Sequence, residues 1–277
     1  VSDVALSDDA LLAGARAGER PAIETLLERY QDRVFGFGLR MCGDSEDAKD
    51  VLQDTLLAAS RTVGDFRGDS SVSTWLYTIA RSFCIKKRRR SKFAPASEVS
   101  LEQSAPVLPS SMPAPDELAA RGEVKRALAV ALEDLDPASR EVLILRDMEG
   151  LTAPEVAAVT GVSVDAVKSR LHRARATVRA RLATALGDVA PPRAPGCPDV
   201  LTAFSRQLEG DLEPRLCAQL QEHVDGCAAC RATCNSLKQT LAVCASEPPG
   251  PVPVAVREAV RTALRSALRL SVTAEGR

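Results

Sequence analysis

Apolar side chains in the first ninety residues recur at three- and four-residue steps with polar residues between them, the pattern of helices that bury one face. Asp8 to Arg16 predicts a short helix, and Arg20 to Leu39 a longer one whose Ile23, Leu26, Leu27, Tyr30, Val34 and Phe37 share a side. SEDAKDVLQDTLLAASRTV follows, with Ser45 as the expected N-cap and Val51, Leu52, Thr55, Leu56 and Ala59 as its buried stripe. Acids in its first turn suit the positive end of the helix dipole. After the turn FRGDSS comes SVSTWLYTIARSFCIKKRRRSK. Its first half is apolar through Trp75, Leu76, Ile79 and Phe83; its end carries six cations between Lys86 and Lys92.

The periodicity then breaks twice. Residues 93–117 hold five prolines and five serines, a composition that reads as a linker. GDVAPPRAPG, 187–196, is a shorter interruption. They divide the chain into blocks 1–92, 118–186 and 197–277.

The middle block contains GLTAPEVAAVTGVSVDAVKSRLHRARATVRARL, with two helix starts in close succession. Thr152 and Glu155 are spaced as a capping box, flanked by Leu151 and Val156 as a hydrophobic staple. Ser163 is placed to cap the second helix, and Gly161 supplies the freedom that the tight turn between them needs. This is the pattern of a helix-turn-helix. With Val164, Val167, Leu171, Ala174, Val178 and Leu182 turned inwards, Lys168, Ser169, Arg170, His172, Arg173 and Arg175 are left to face a major groove or its phosphates.

Composition sharpens this picture in two ways. Aromatics are 3% of the chain, and Ala, Val and Leu dominate, which favours helical packing over sheets. The net charge is −1, but residues 163–181 carry six basic side chains against Asp165, while 197–250 carry four basic and seven acidic. A basic segment and an acidic one can each meet nucleic acid or one another. The cations Lys86, Lys87, Arg88 and Arg89 fit phosphates, and Trp75, Tyr77 and Phe83 just upstream could stack on unpaired bases; the plainer alternative is a solvated helix end. No run of about 20 apolar residues exists, so no membrane span is expected. An acidic N-terminus without a signal-peptide pattern points to the cytoplasm, where clustered cysteines mean metal or redox chemistry more often than disulfides.

By these residues the chain resembles a bacterial sigma factor of the extracytoplasmic-function (ECF) group. DAKDVLQDTLLAASR and FRGDSSVSTWLYTIARSFCIKKRRR resemble sigma domain 2, and LDPASREVLILRDMEGLTAPEVAAVTGVSVDAVKSRLHRARATVRARL resembles domain 4. The resemblance implies an all-α protein that is not an enzyme, with domain 2 in 1–92 and domain 4 in 118–186. It implies binding to core RNA polymerase through Asp47, Asp50, Gln53 and Asp54, opening of the −10 promoter element by domain 2, and reading of −35 by the second helix of domain 4.

Six of the eight cysteines, with His223, fall between 197 and 244. Cys42 and Cys84 lie outside, in helical patterns, and are expected as core packing. His223 ends an expected helix, Asp225-Gly226 reverses the chain, and Cys227 and Cys230 start the next helix, whose N-terminus favours thiolate. An imidazole and two thiolates occupy three corners of a zinc tetrahedron. Cys197 is the choice for the fourth; Cys217 and Cys234 could approach the same place, and Cys244 is a further spare thiol. The set suits soft or borderline ions, Zn²⁺, Cd²⁺ or Cu⁺.

The spacing resembles the zinc-binding anti-sigma domain, here fused to its target, as in the metal-responsive CorE-like sigma factors. That likeness implies contact between the C-terminal domain and the sigma domains. VPVAVREAVRTALRSALRL near the end is amphipathic, a helix that packs on its own domain or docks on the sigma domains. The same residues suit metal sensing, an inert structural zinc, or a redox switch that ejects a structural zinc. A thiol–disulfide oxidoreductase is disfavoured, because no βαβ pattern surrounds Cys227 and Cys230.

Overall fold

Alanine- and leucine-rich segments with few β-branched or aromatic runs make helices, and the computed structural model is built from them. It describes residues 6–91, 115–188, 191, 195–247 and 250–274, and holds no strand among them. In order these form α1 (Asp8–Arg16), α2 (Arg20–Cys42), α3 (Ser45–Thr62), α4 (Val72–Ser91), α5 (Pro115–Glu133), α6 (Pro137–Leu143), α7 (Ala153–Thr160), α8 (Val164–Leu182), α9 (Val200–Leu208), α10 (Pro214–Gly226), α11 (Ala228–Ser246) and α12 (Val254–Ala274). A 3-10 turn follows α3 at Val63–Asp65, and a π turn follows α6 at Ile144–Met148.

Local chemistry explains the boundaries. Asp44, rather than Ser45, caps α3: its carboxylate accepts from the Asp47 amide at 2.8 Å, and Ser45 is already helical. α2 runs three residues past the expected Leu39 and stops at Gly43, whose φ of 73° is open to glycine at no steric cost. Most of the expected linker, 93–114, lies outside the described residues, but its last three residues begin α5, since proline is tolerated in a first helical turn. The helix-turn-helix follows its caps. Thr152 and Glu155 form the reciprocal capping box, Gly161 turns the chain at φ 73°, and the Ser163 side chain accepts from the Ala166 amide. Thr152→Ala is expected to cost about 1 kcal/mol, read as a lower midpoint in denaturant unfolding of the intact chain.

The chain divides into two compact units, 1–105 with 249–277, and 106–248. In the first, α2 and α3 bury Leu26, Leu27, Phe37, Val51, Leu52 and Leu56 against one another and α4. α12 packs on α2 and α3 of this unit, the second of the two placements its sequence left open, and not on the cysteine-rich block that precedes it. Two complementary rows draw it there. Val260, Leu264 and Leu268 are buried, while Arg257, Arg261 and Arg265 donate to Asp32, Glu28 and Glu24 of α2 at 3.1, 2.8 and 3.0 Å. The repeat of four in both rows puts each row on one helix face.

In the second unit α6 packs on α8, burying Val142 and Leu143 with Val167, Leu171, Ala174 and Val178, while Ile144 and Leu145 are buried in the π turn that meets α7 and α11. Val164, expected with these, is half-exposed. A smaller core forms where Val200 of α9, Leu220 of α10 and Cys230 and Cys234 of α11 meet, with Cys197, Phe204, Val224 and Cys227 around it.

Candidate metal centre and nucleic-acid face

α10 brings His223 to its last turn and, running on to Gly226 rather than ending at His223, delivers Cys227 as the cap shared with α11. Cys230 follows in the first turn of α11, and Cys197 precedes α9. The donor atoms of Cys197, His223, Cys227 and Cys230 all lie within 4.8 Å of one another. Cys197 and Cys227 sulfurs are 3.8 Å apart, and His223 Nε2 stands 3.2 Å from Cys230 Sγ. A tetrahedral ion with sulfur ligands at about 2.3 Å requires sulfur–sulfur edges of about 3.8 Å. The residues present therefore fit a zinc-sized ion.

The thiols also act on one another's titration. The Cys230 backbone N–H holds the Cys227 thiol below its usual value, whereas burial, with Cys197 and Cys227 alongside, pushes Cys230 up to about 11. Adjacent thiolates resist ionising together unless a positive charge joins them.

The other three thiols of the block are not in this group. Cys234, one turn beyond Cys230, is packed in the apolar core, where burial raises its pKa. Cys217 directs its Sγ to the Leu212 carbonyl at 3.7 Å, and Cys244 is buried elsewhere on α11. None of the eight cysteines, all among the described residues, forms a disulfide.

The face of α8 assigned to DNA divides. Ser169 and Arg173 are exposed and Arg170 half-exposed. Arg175, expected to point outwards, is only 2% exposed. Its guanidinium donates to both Asp147 oxygens at 2.8 and 2.6 Å, to Glu209 at 2.7 Å and to Ser205 Oγ at 2.9 Å. Burial works against its charge, but Asp147 and Glu209 more than offset that and raise its pKa. Arg146 also donates to Glu209, at 3.1 Å. His172 Nδ1 lies 2.7 Å from Ser205 Oγ, its pKa lowered by burial and by Arg175. Lys168 is ion-paired with Asp211. Thus three residues of the expected reading face are held by Ser205, Glu209 and Asp211, which the sequence reading did not single out; the acidity of 197–250 was the one signal for them.

In the first unit, Lys86 and Arg89 are exposed and Arg88 half-exposed, while Lys87 pairs with Asp47 at 3.1 Å and with Asp50, bonds that raise its pKa. Lys92, at the end of the basic run, lies outside the described residues. Gln53 and Asp54 are exposed on α3. Trp75 is half-exposed with its ring 5.0 Å from Phe66, and Phe83 is half-exposed. Tyr77 does not join them: it is buried against Phe37, ring centres 5.3 Å apart, because its position in α4 faces the α2–α3 core.

Comparison with known proteins follows the same division. Sigma-70 region 2 matches residues 26–93, sigma-70 region 4 matches 125–178, and a zinc-finger family matches 197–231. The ECF RNA polymerase sigma factor SigM of Mycobacterium tuberculosis is 38% identical over 183 residues, 65% of this chain and 85% of that protein. The chain belongs to the ECF sigma factor family. The sigma-E factor of Escherichia coli is 30% identical over 179 residues, covering 62% of this sigma factor and 93% of its relative. The solved structure of CnrH in complex with the cytosolic domain of CnrY is 32% identical and covers 64% of the chain and 97% of CnrH, at a TM-score of 0.47. As a sigma factor this is not an enzyme but a subunit for transcription initiation, a family that binds RNA polymerase and promoter DNA. Among the described residues, no helix is long and apolar enough to cross a membrane.

Proposed function

We propose that this sigma factor is gated in cis by a metal ion held in its cysteine-rich segment, in the manner of the CorE-like group, and acts in the cytoplasm. One observation carries the reading: Lys168, His172 and Arg175 of α8 are bonded to Asp211, Ser205 and Glu209, which border the Cys/His quartet in sequence. A side chain so engaged must break those bonds before it neutralises a phosphate or reads a base edge. The acidic partners imitate the negative charge of DNA, so the α8 face is offered its own segment in place of the −35 element. On the first unit, α12 lies against α2 and α3, and α3 carries the Asp47, Asp50, Gln53 and Asp54 proposed to meet core polymerase.

Cys197, His223, Cys227 and Cys230 would hold the ion, Zn²⁺ or Cd²⁺ before Cu⁺. When bound, it supplies the charge that lets neighbouring thiols ionise together and ties α9, α10 and α11 at one point. Structural zinc contributes about 10–16 kcal/mol to folding, more than the roughly 5.5 kcal/mol needed to move a two-state equilibrium from 1:99 to 99:1. Only the part of that free energy that differs between the gated and released states would act on the switch. Because Cys217, Cys234 and Cys244 stand apart, sensing would operate through filling of the quartet itself.

A complete four-donor set also suits a permanent zinc, and favours a second reading in which oxidation of its thiols, not loading, is the signal. Reconstituted promoter-dependent transcription tests both. The output of the intact chain is expected to change with added Zn²⁺ or Cd²⁺, while a chain ending at residue 190 does not respond. Equal output from both chains with and without each ion would overturn the gate; peroxide-driven release of zinc together with a change in output, and no response to added ion, would select the redox reading.

A further inference from the structure

Cys42 and Cys84 lie far from the metal quartet in sequence and were expected as inert packing. The structure puts them together. Cys42 occupies the last position of α2, before the left-handed Gly43, and Cys84 is in the middle of α4. Their sulfurs are 3.7 Å apart; Cys42 is half-buried, Cys84 fully buried. The bonded separation is about 2.05 Å, so the sulfurs must approach by roughly 1.7 Å. A helix end at glycine can yield that more readily than two helix interiors.

The surroundings favour reaction. The Cys42 thiol is held below its usual pKa, first by Cys84 and then, against burial and Asp47, by the charges of Arg88 and Lys87. One thiol is thus partly exposed and disposed to ionise, and a second lies within reach to resolve it, the arrangement of an oxidisable dithiol.

We propose that Cys42 and Cys84 form a reversible disulfide under hydrogen peroxide, giving this sigma factor a redox centre independent of the metal site. Cys42 thiolate attacks the peroxide oxygen, the O–O bond breaks, and one water leaves as the sulfenic acid forms. Cys84 then displaces the sulfenic oxygen as a second water. Two thiols lose two electrons and two protons in all, and one peroxide is reduced to two waters.

The centre adjoins a surface with consequences. Lys87, three residues beyond Cys84, is bonded to Asp47 and Asp50 of α3. Drawing the end of α2 and α4 together shifts that ammonium against the two carboxylates, changing the charge α3 presents to polymerase. This second step rests on the proposed role of Asp47 and Asp50.

Peroxide treatment of the zinc-loaded, reduced full chain, followed by alkylation and non-reducing peptide mapping, tests the chemistry. The Cys42 and Cys84 peptides are expected joined, lighter by one pair of hydrogens, separable by dithiothreitol and absent from Cys42→Ser. Recovery of Cys42 as a free thiol, a sulfinic acid or a disulfide to any other cysteine overturns the proposal. Core polymerase is expected to bind the oxidised chain about tenfold more weakly than the reduced chain, with Cys42→Ser indifferent to peroxide. A mapped disulfide with unchanged affinity overturns the coupling. Failure of Asp50→Arg to weaken binding by reduced protein would instead count against the polymerase-binding role of α3.

Discussion

Replacing Cys230 with alanine is expected to abolish metal retention by the purified chain and to melt α9, α10 and α11. The residue is both a corner of the quartet and a fully buried member of the small core with Val200, Leu220 and Cys234. Without it three donors remain, and the half-buried imidazole of His223 loses the sulfur 3.2 Å away. A segment of this size gains only about 3–5 kcal/mol from its apolar core, against the roughly 10–16 kcal/mol that a structural zinc adds. With the quartet loaded, the ion would therefore dominate. Metal content per chain should fall from one to zero, and amides of α9–α11 should exchange near the unfolded rate while those of α2 and α3 keep their protection. Unchanged protection in a metal-free variant would remove the metal from any part in the fold.

The second large effect is expected at Glu209. Its side chain is 1% exposed and accepts from Arg175 and Arg146. Glu209→Ala leaves the Arg175 guanidinium buried with Asp147 as its remaining carboxylate. Removing one member of a buried ion pair costs about 3–5 kcal/mol, because the surviving charge stays desolvated. The free energy of unfolding should drop by about 3 kcal/mol in denaturant titrations, and affinity for promoter DNA should rise as α9 loosens from α8. Replacing Arg175 with Met alongside Glu209→Met should recover most of the stability, since apolar residues of similar size pack without desolvation cost. A double variant as unstable as the single one would mean that the lost stability came from packing around Glu209 and not from its charge.

The sequence was most informative where a few neighbouring residues decide the outcome. The box of Thr152 and Glu155, the turn at Gly161 and the cap at Ser163 were legible because each depends on hydrogen bonds or φ values within four residues. The buried stripes of α2 and α3 were legible because the helical period of about 3.6 residues is itself the record of a face. His223, Cys227 and Cys230 were legible for the same reason: their spacing spans one helix end and the next helix start. Cys197 was reached only as a choice among thiols.

What the sequence by itself determined is thus most of the helices, the caps at Thr152 and Ser163, the family, and the spacing that groups His223, Cys227 and Cys230. Tertiary structure alone decided which partners distant residues found. A helical wheel places Arg175 at the edge of an apolar face, but only the arrival of Glu209 and Ser205 beside Asp147 makes burial of its charge affordable. Tyr77 turned inward because Phe37 was there to receive it, Cys42 met Cys84 across α2 and α4, and α12 left its sequence neighbours for the acidic row of α2. Periodicity encodes how a segment is divided into faces; which face meets which is set by charge and shape matched between segments up to 241 residues apart, and no local pattern carries that information.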